Sequence, residues 1–145
     1  MKLRFEFERG GALQARMLQD KTPETARALS AAAPISATVY QARWSGREIF
    51  VPIDLAAKPP RENQTIRAGI GDVIYFREWE GAYQRTGFEA VGLFYGNEIV
   101  REWRGDAPVN VIGRIDPSEF ELLEAIGERV WRKGGEAIVI RVEAS

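Results

Sequence analysis

Asp20-Lys21-Thr22-Pro23-Glu24-Thr25-Ala26-Arg27-Ala28-Leu29 is the stretch from which the fold is read. It spells out a helix start. Thr22 offers a hydroxyl to the first free backbone N–H groups. Pro23 takes the first helical position, where its missing N–H costs nothing and its fixed φ suits a helix. Glu24 puts negative charge near the positive end of the helix dipole. Ala26, Leu29 and Ala33 share one face, and small residues there suit close packing over a sheet. Pro34 ends the helix, because the residue before a proline avoids helical geometry.

Upstream, residues 2–8 alternate. Leu3, Phe5 and Phe7 face one way, and Lys2, Arg4, Glu6 and Glu8 the other, as in a half-buried strand. Gly10-Gly11 makes a turn, and residues 13–18 return as a second strand. Downstream, 35–44 and 48–53 read as strands joined by a turn at Ser45-Gly46, with Ile49, Val51 and Ile53 on one face. Residues 54–64 read as a loop, because Lys58-Pro59-Pro60-Arg61-Glu62-Asn63 does not suit a central strand. A loop of that length often carries function or covers a site.

Further strands are expected at 73–76, 88–95, 98–103 and 109–115, with Gly96-Asn97 as a hairpin turn between the second and third. An aromatic, glycine-punctuated loop separates 78 from 88. Asp116-Pro117-Ser118-Glu119 writes a second helix start of the capping-box kind. Phe120, Leu123, Ile126, Gly127 and Val130 form its buried face, and Lys133-Gly134-Gly135 closes it. Residues 137–142 form the last strand. About eight short strands and two helices suggest an antiparallel barrel or sandwich with helices over its open ends.

Composition narrows the function classes. The 145 residues suit a single domain, 1–145. The chain has no cysteine and no histidine. Disulfides, thiolate metal sites, cysteine nucleophiles and a Ser-His-Asp triad are therefore excluded. A metal site would need carboxylates alone, and no calcium-loop spacing occurs, so neither a metal nor a cofactor is expected. The 20 basic and 21 acidic residues are interspersed, leaving no basic patch for nucleic acid or an anionic membrane. No apolar run approaches the ~18 residues of a membrane span. The chain opens on a strand pattern rather than an apolar leader, so a cytoplasmic location is expected.

Strand, Gly10-Gly11, strand, then the helix start at 20–29 is similar to the opening of cyclophilins. Val111-Ile112-Gly113-Arg114-Ile115, a helix and a closing strand resemble the cyclophilin ending. Trp44-Ser45-Gly46, Glu48-Ile49-Phe50 and Gly71-Asp72-Val73 resemble the small bacterial cyclophilin-like proteins of unknown function. The resemblance implies a mainly β fold: a closed eight-stranded antiparallel barrel capped by two α-helices.

In that family, prolyl isomerase activity rests on an arginine in the strand before a Pro-Gly turn, followed by a Phe-Met-x-Gln run. With Ser45-Gly46 as the turn, the arginine position falls on Ala42, and the run on Arg47, Glu48, Ile49 and Phe50. Arg43 is one residue out, which puts a strand side chain on the opposite face unless a bulge intervenes. The family's Ser-Gln-Phe-Phe strand falls on Phe88, Glu89, Ala90 and Val91, where only Glu89 keeps polarity. The resemblance implies the scaffold, with most of the isomerase chemistry missing.

Two clusters compete with a purely structural reading. Tyr40, Arg43, Trp44, Arg47 and Phe50 border one turn. They are either core aromatics with solvated arginines or an aromatic groove whose arginine holds a carboxylate or a peptide carbonyl. Tyr75, Phe76, Trp79 and Tyr83 form the second; alternation would bury some of them, while Trp79 and Tyr83, in the glycine-flanked loop, would line a mouth or form an oligomer contact. Asp72 and Glu89 lie near the same strands, with Arg67, Arg77 and Arg85 as ion-pair candidates. The expected function is a binding module for a small anionic molecule or an extended peptide, without efficient isomerase activity. Its expected lining is Tyr40, Arg43, Trp44, Arg47, Phe50, Tyr75, Tyr83 and Glu89; no catalytic residue is assigned. The alternatives are a peptidyl-prolyl isomerase and a structural homo-oligomer subunit.

Overall fold

A computed structural model describes residues 1–79 and 86–145. In chain order the elements are β1 (Lys2–Phe7), β2 (Ala12–Met17), α1 (Pro23–Ala32), β3 (Ile35–Gln41), β4 (Glu48–Pro52), β5 (Gln64–Thr65), β6 (Arg67–Ala68), β7 (Asp72–Arg77), β8 (Glu89–Phe94), β9 (Glu98–Ile99), β10 (Arg101–Glu102), β11 (Gly105–Asp106), β12 (Val109–Ile115), α2 (Phe120–Lys133) and β13 (Glu136–Glu143). Eight strands run in the order β2-β1-β13-β3-β4-β8-β7-β12, and β12 pairs back onto β2. The result is a closed antiparallel barrel with two helices. Closure removes the exposed edges that an open sheet would present.

Alternation sets the interior. Leu3, Phe5, Leu13, Val39, Ile49, Val73, Val91, Leu93, Ile112 and Ile140 are buried there. Leu29 of α1 and Leu123, Ile126 and Val130 of α2 join the same core. The helices sit at opposite openings. Ile126 of α2 packs near Gly11 in the β1–β2 turn, whereas α1 follows directly from the far end of β2.

The start of α1 is not held as the sequence suggests. The Thr22 hydroxyl donates back to the Leu18 carbonyl at 3.0 Å. Glu62, from the 54–64 loop, takes its place. One of its oxygens accepts from the Glu24 N–H at 2.9 Å; the other accepts from the Thr25 N–H at 3.0 Å and the Thr25 hydroxyl at 2.8 Å. A carboxylate satisfies two free donors and complements the helix dipole, which a single hydroxyl does less well. Asn110 Oδ1 accepts the Glu62 N–H at 2.9 Å, so this bond ties the loop to the barrel wall.

Gly96-Asn97 is not a hairpin turn. β8 already pairs with β4 on one side and β7 on the other, so it has no free edge. The chain leaves the barrel there, and β9 pairs with β6 instead. The segments 64–68 and 98–107 then roof part of the barrel's outer surface. Beneath them Ile74, Phe94, Val100, Ala107, Val109 and Val111 make a second apolar core. Strands β7, β8 and β12 therefore bury both faces. All six residues of β8 are buried.

Candidate functional site

Where the roof stops short of β3 and β4, a cavity of about 870 Å³ opens on the outer face of the barrel. Such a volume falls in the range of small-molecule sites. Its wall is a run of rings. Tyr40 and Phe50, cross-strand partners on β3 and β4, lie 5.8 Å apart between centroids; Phe50 and Phe88 lie 5.8 Å apart, and Phe88 and Phe76 lie 6.2 Å apart. Ile74, Ala90, Val100, Ala107 and Val109 complete the apolar surface. Trp44 and Trp103, 53% and 58% exposed, stand at the rim.

Polar groups are few, and most are satisfied within the protein. Ser45 Oγ donates to the Arg101 carbonyl at 2.7 Å and accepts the Arg101 N–H at 2.8 Å, which stitches the roof to the β3–β4 turn. Glu78 accepts from the Thr86 N–H at 3.0 Å and the Phe88 N–H at 3.1 Å, and Arg104 lies 3.9 Å away. Glu102 is paired with Arg104. Arg43 is exposed at the mouth.

Glu48 differs from all of these. It opens β4, lines the cavity and is only 7% exposed, yet among the described residues no cation pairs with it. Burial pushes its carboxyl up to about 8, with the Ser45 hydroxyl pulling weakly the other way. The carboxylate occupies the space left by Gly92 on β8: a Cβ there would land on a Glu48 oxygen. Glycine at 92 is thus required by a close approach rather than by its φ. Among the described residues no three acidic side chains gather as a metal site would need.

The residues singled out from sequence divide between three places. Tyr40, Arg43, Trp44 and Phe50 line the cavity together. Arg43 reaches it because the strand ends at Gln41 and strand alternation no longer applies. Arg47 lies elsewhere, over Gly96, where it binds Glu98 at 2.7 Å and the Asn97 carbonyl at 3.1 Å. Tyr75 and Glu89 point into the barrel and bond to each other. Burial, and then the Glu89 carboxylate, raise the Tyr75 phenol above its ordinary value. Trp79 is likewise core, its Nε1–H donating to the Pro108 carbonyl at 2.8 Å. Tyr83 and Arg85 lie outside the described residues. Glu48 is not among the lining residues expected from sequence, although its position carries a signal: two residues before Phe50, it shares that residue's face of the strand.

A family model described as a protein of unknown function, DUF3830, matches residues 7–141. The chain belongs to the DUF3830 family. No curated protein matches it. Among solved structures, McbB in complex with tryptophan is similar, with a TM-score of 0.72 and 16% identity over 99% of this chain and 45% of that one. This chain thus spans less than half of McbB, and the likeness shows the fold. The solution structure of hypothetical protein AF2241 from Archaeoglobus fulgidus is also similar, with a TM-score of 0.60 and 26% identity over 97% of this chain and 93% of that one.

Proposed function

We propose that this DUF3830 protein is a small-molecule binding module on a cyclophilin-like scaffold, and that its site is the outer-face cavity. The observation that carries this reading is the ring-lined wall of Tyr40, Phe50, Phe88 and Phe76 around a concavity of about 870 Å³. Apolar walls with a few placed polar groups are what such sites share. McbB, whose structure contains a similar fold, is seen in complex with tryptophan, a small molecule.

A fragment screen by thermal shift tests the reading, with hits located by backbone amide NMR. Binding that perturbs residues 40–50, 74–76, 86–90 and 100–109, and that Phe50→Ala weakens, is the expected result. Hits that map elsewhere, or none in a screen rich in aromatic fragments, would overturn it.

Prolyl isomerisation is a second reading, favoured by one observation: Arg43 and the apolar wall share this groove. A protease-coupled assay on a short proline peptide decides it. Acceleration that Arg43→Ala abolishes supports isomerase activity; no acceleration at micromolar protein removes it.

A further inference from the structure

We propose that the cavity takes an organic cation, an amine or quaternary ammonium compound with an aromatic or apolar body, whose charge sits against Glu48. The inference rests on reading the cavity as a small-molecule site and adds the chemical class of its ligand.

The argument starts from how this protein treats its buried carboxylates. Glu89 is held by Lys58, the Tyr75 hydroxyl and the Leu55 N–H. Glu136 has Arg129 at 2.9 Å and Arg9 at 3.7 Å. Glu78 holds two backbone N–H groups, with Arg104 at 3.9 Å. Two of the four, Glu48 and Glu78, border the open cavity, and Glu48 alone of the four has no cation from the described residues. Burial without a cation disfavours the charged form of a carboxyl, so Glu48 leaves a position at the cavity wall for a positive charge supplied from outside.

The surroundings favour a cation over an anion. Among the described residues, the titratable or charged groups that face the cavity beside Glu48 are Tyr40 from β3, Arg43 from the β3–β4 turn, Glu78 beyond β7, and Arg101, Glu102 and Arg104 from the roof. Arg104 is engaged by Glu102 and Glu78, and Arg101 lies 3.9 Å from Asp106. Arg43 is exposed to water at the mouth. An anion reaching the inner wall would meet Glu48, while Arg43 stays in water at the mouth. A cation would meet the carboxylate and the faces of Tyr40, Phe50 and Phe88, and aromatic faces attract positive charge. The anionic ligand expected from sequence rests on the arginines beside the turn, and these stay at the mouth or pair elsewhere.

Burial holds much of Glu48 protonated at neutral pH. An arriving ammonium ion must displace that proton. Binding is therefore expected to release a proton below pH 8 and to tighten as pH rises toward 8.

Three probes with one aromatic body test this by calorimetry on the full chain: 2-naphthylmethylamine, 2-naphthalenemethanol and 2-naphthoate, each from pH 6 to 8.5. The amine is expected to bind at least about tenfold more tightly than the alcohol at pH 8.5, and to weaken about tenfold per pH unit below 8. The alcohol should show no such slope. In Glu48→Gln the amine should lose its advantage over the alcohol and its pH dependence. Alcohol and amine binding alike, or naphthoate binding best, would overturn the choice of a cation but leave the small-molecule site standing. Failure of all three to bind would overturn both. The wild-type pH series stands by itself if the variant does not fold.

Discussion

The inside of the barrel at Glu89 and its outside at Glu48 pose the same physical problem and solve it in opposite ways. Both carboxylates lie on adjacent strands, and both are nearly sealed, at 2% and 7% exposure. Inside, the protein answers the charge itself: a lysine from the 54–64 loop, a tyrosine from β7 and a backbone N–H converge on Glu89. Outside, burial by the rings and roof pushes the Glu48 carboxyl up to about 8, with no cation brought to it from the described residues. Burial by itself therefore does not mark a functional carboxylate. The lack of a cation beside a cavity large enough for a ligand is the feature that separates Glu48 from Glu89.

The largest effect should come from breaking the answered side. Glu89→Ala leaves the Tyr75 hydroxyl and the Leu55 N–H without their acceptor and is expected to cost about 3–5 kcal/mol in urea unfolding. A loss below about 1 kcal/mol would mean that the network is not structural and would dissolve the contrast.

The unanswered side should move the other way. The Glu48 carboxyl is raised from 4.5 to about 8 in the folded chain. Between those values the unfolded chain has given up its proton while the native one still holds it. Stability must therefore fall as pH rises through that window. Glu48→Gln should flatten this slope and be more stable than wild type at pH 8 by on the order of 2–4 kcal/mol, with little difference near pH 4.5. Urea titrations at the two pH values read it directly.

Gly92→Ala sharpens the comparison at the level of packing. The added methyl meets the Glu48 carboxylate and Ile74 Cδ1 and should cost about 1–3 kcal/mol. In a Glu48→Ala background the penalty should shrink, and a double-mutant cycle measures the coupling. If the two changes are additive, the carboxylate does not depend on that gap. The smallest effect belongs to the rim: Arg43→Ala should change stability by no more than about 0.5 kcal/mol and leave amine binding in place.

Much of this fold can be read along the chain. Leu3, Phe5 and Phe7 point inward because alternation permits one buried face, and Pro23 opens α1 where its ring and missing N–H are tolerated. β12 spans Val109–Ile115, the bounds its apolar run suggests. The site is only half legible. Tyr40, Trp44 and Phe50 are visible as aromatics flanking a turn. Tyr75 and Glu89, in contrast, sit on strands β7 and β8 that bury both faces, so no alternation shows which side chain enters the barrel.

What the sequence determined by itself is what short-range chemistry controls: the strand and helix periods, the turns that punctuate them, the mainly β class, and the exclusion of all cysteine and histidine chemistry. The tertiary structure decided who meets whom. Glu62 rather than Thr22 holds the start of α1, Lys58 rather than an arginine reaches Glu89, and Glu48 is left facing a cavity. Each of these depends on barrel closure bringing together groups some 30 or more residues apart, and the pairing of a buried charge is fixed by that closure rather than by its neighbours in the chain.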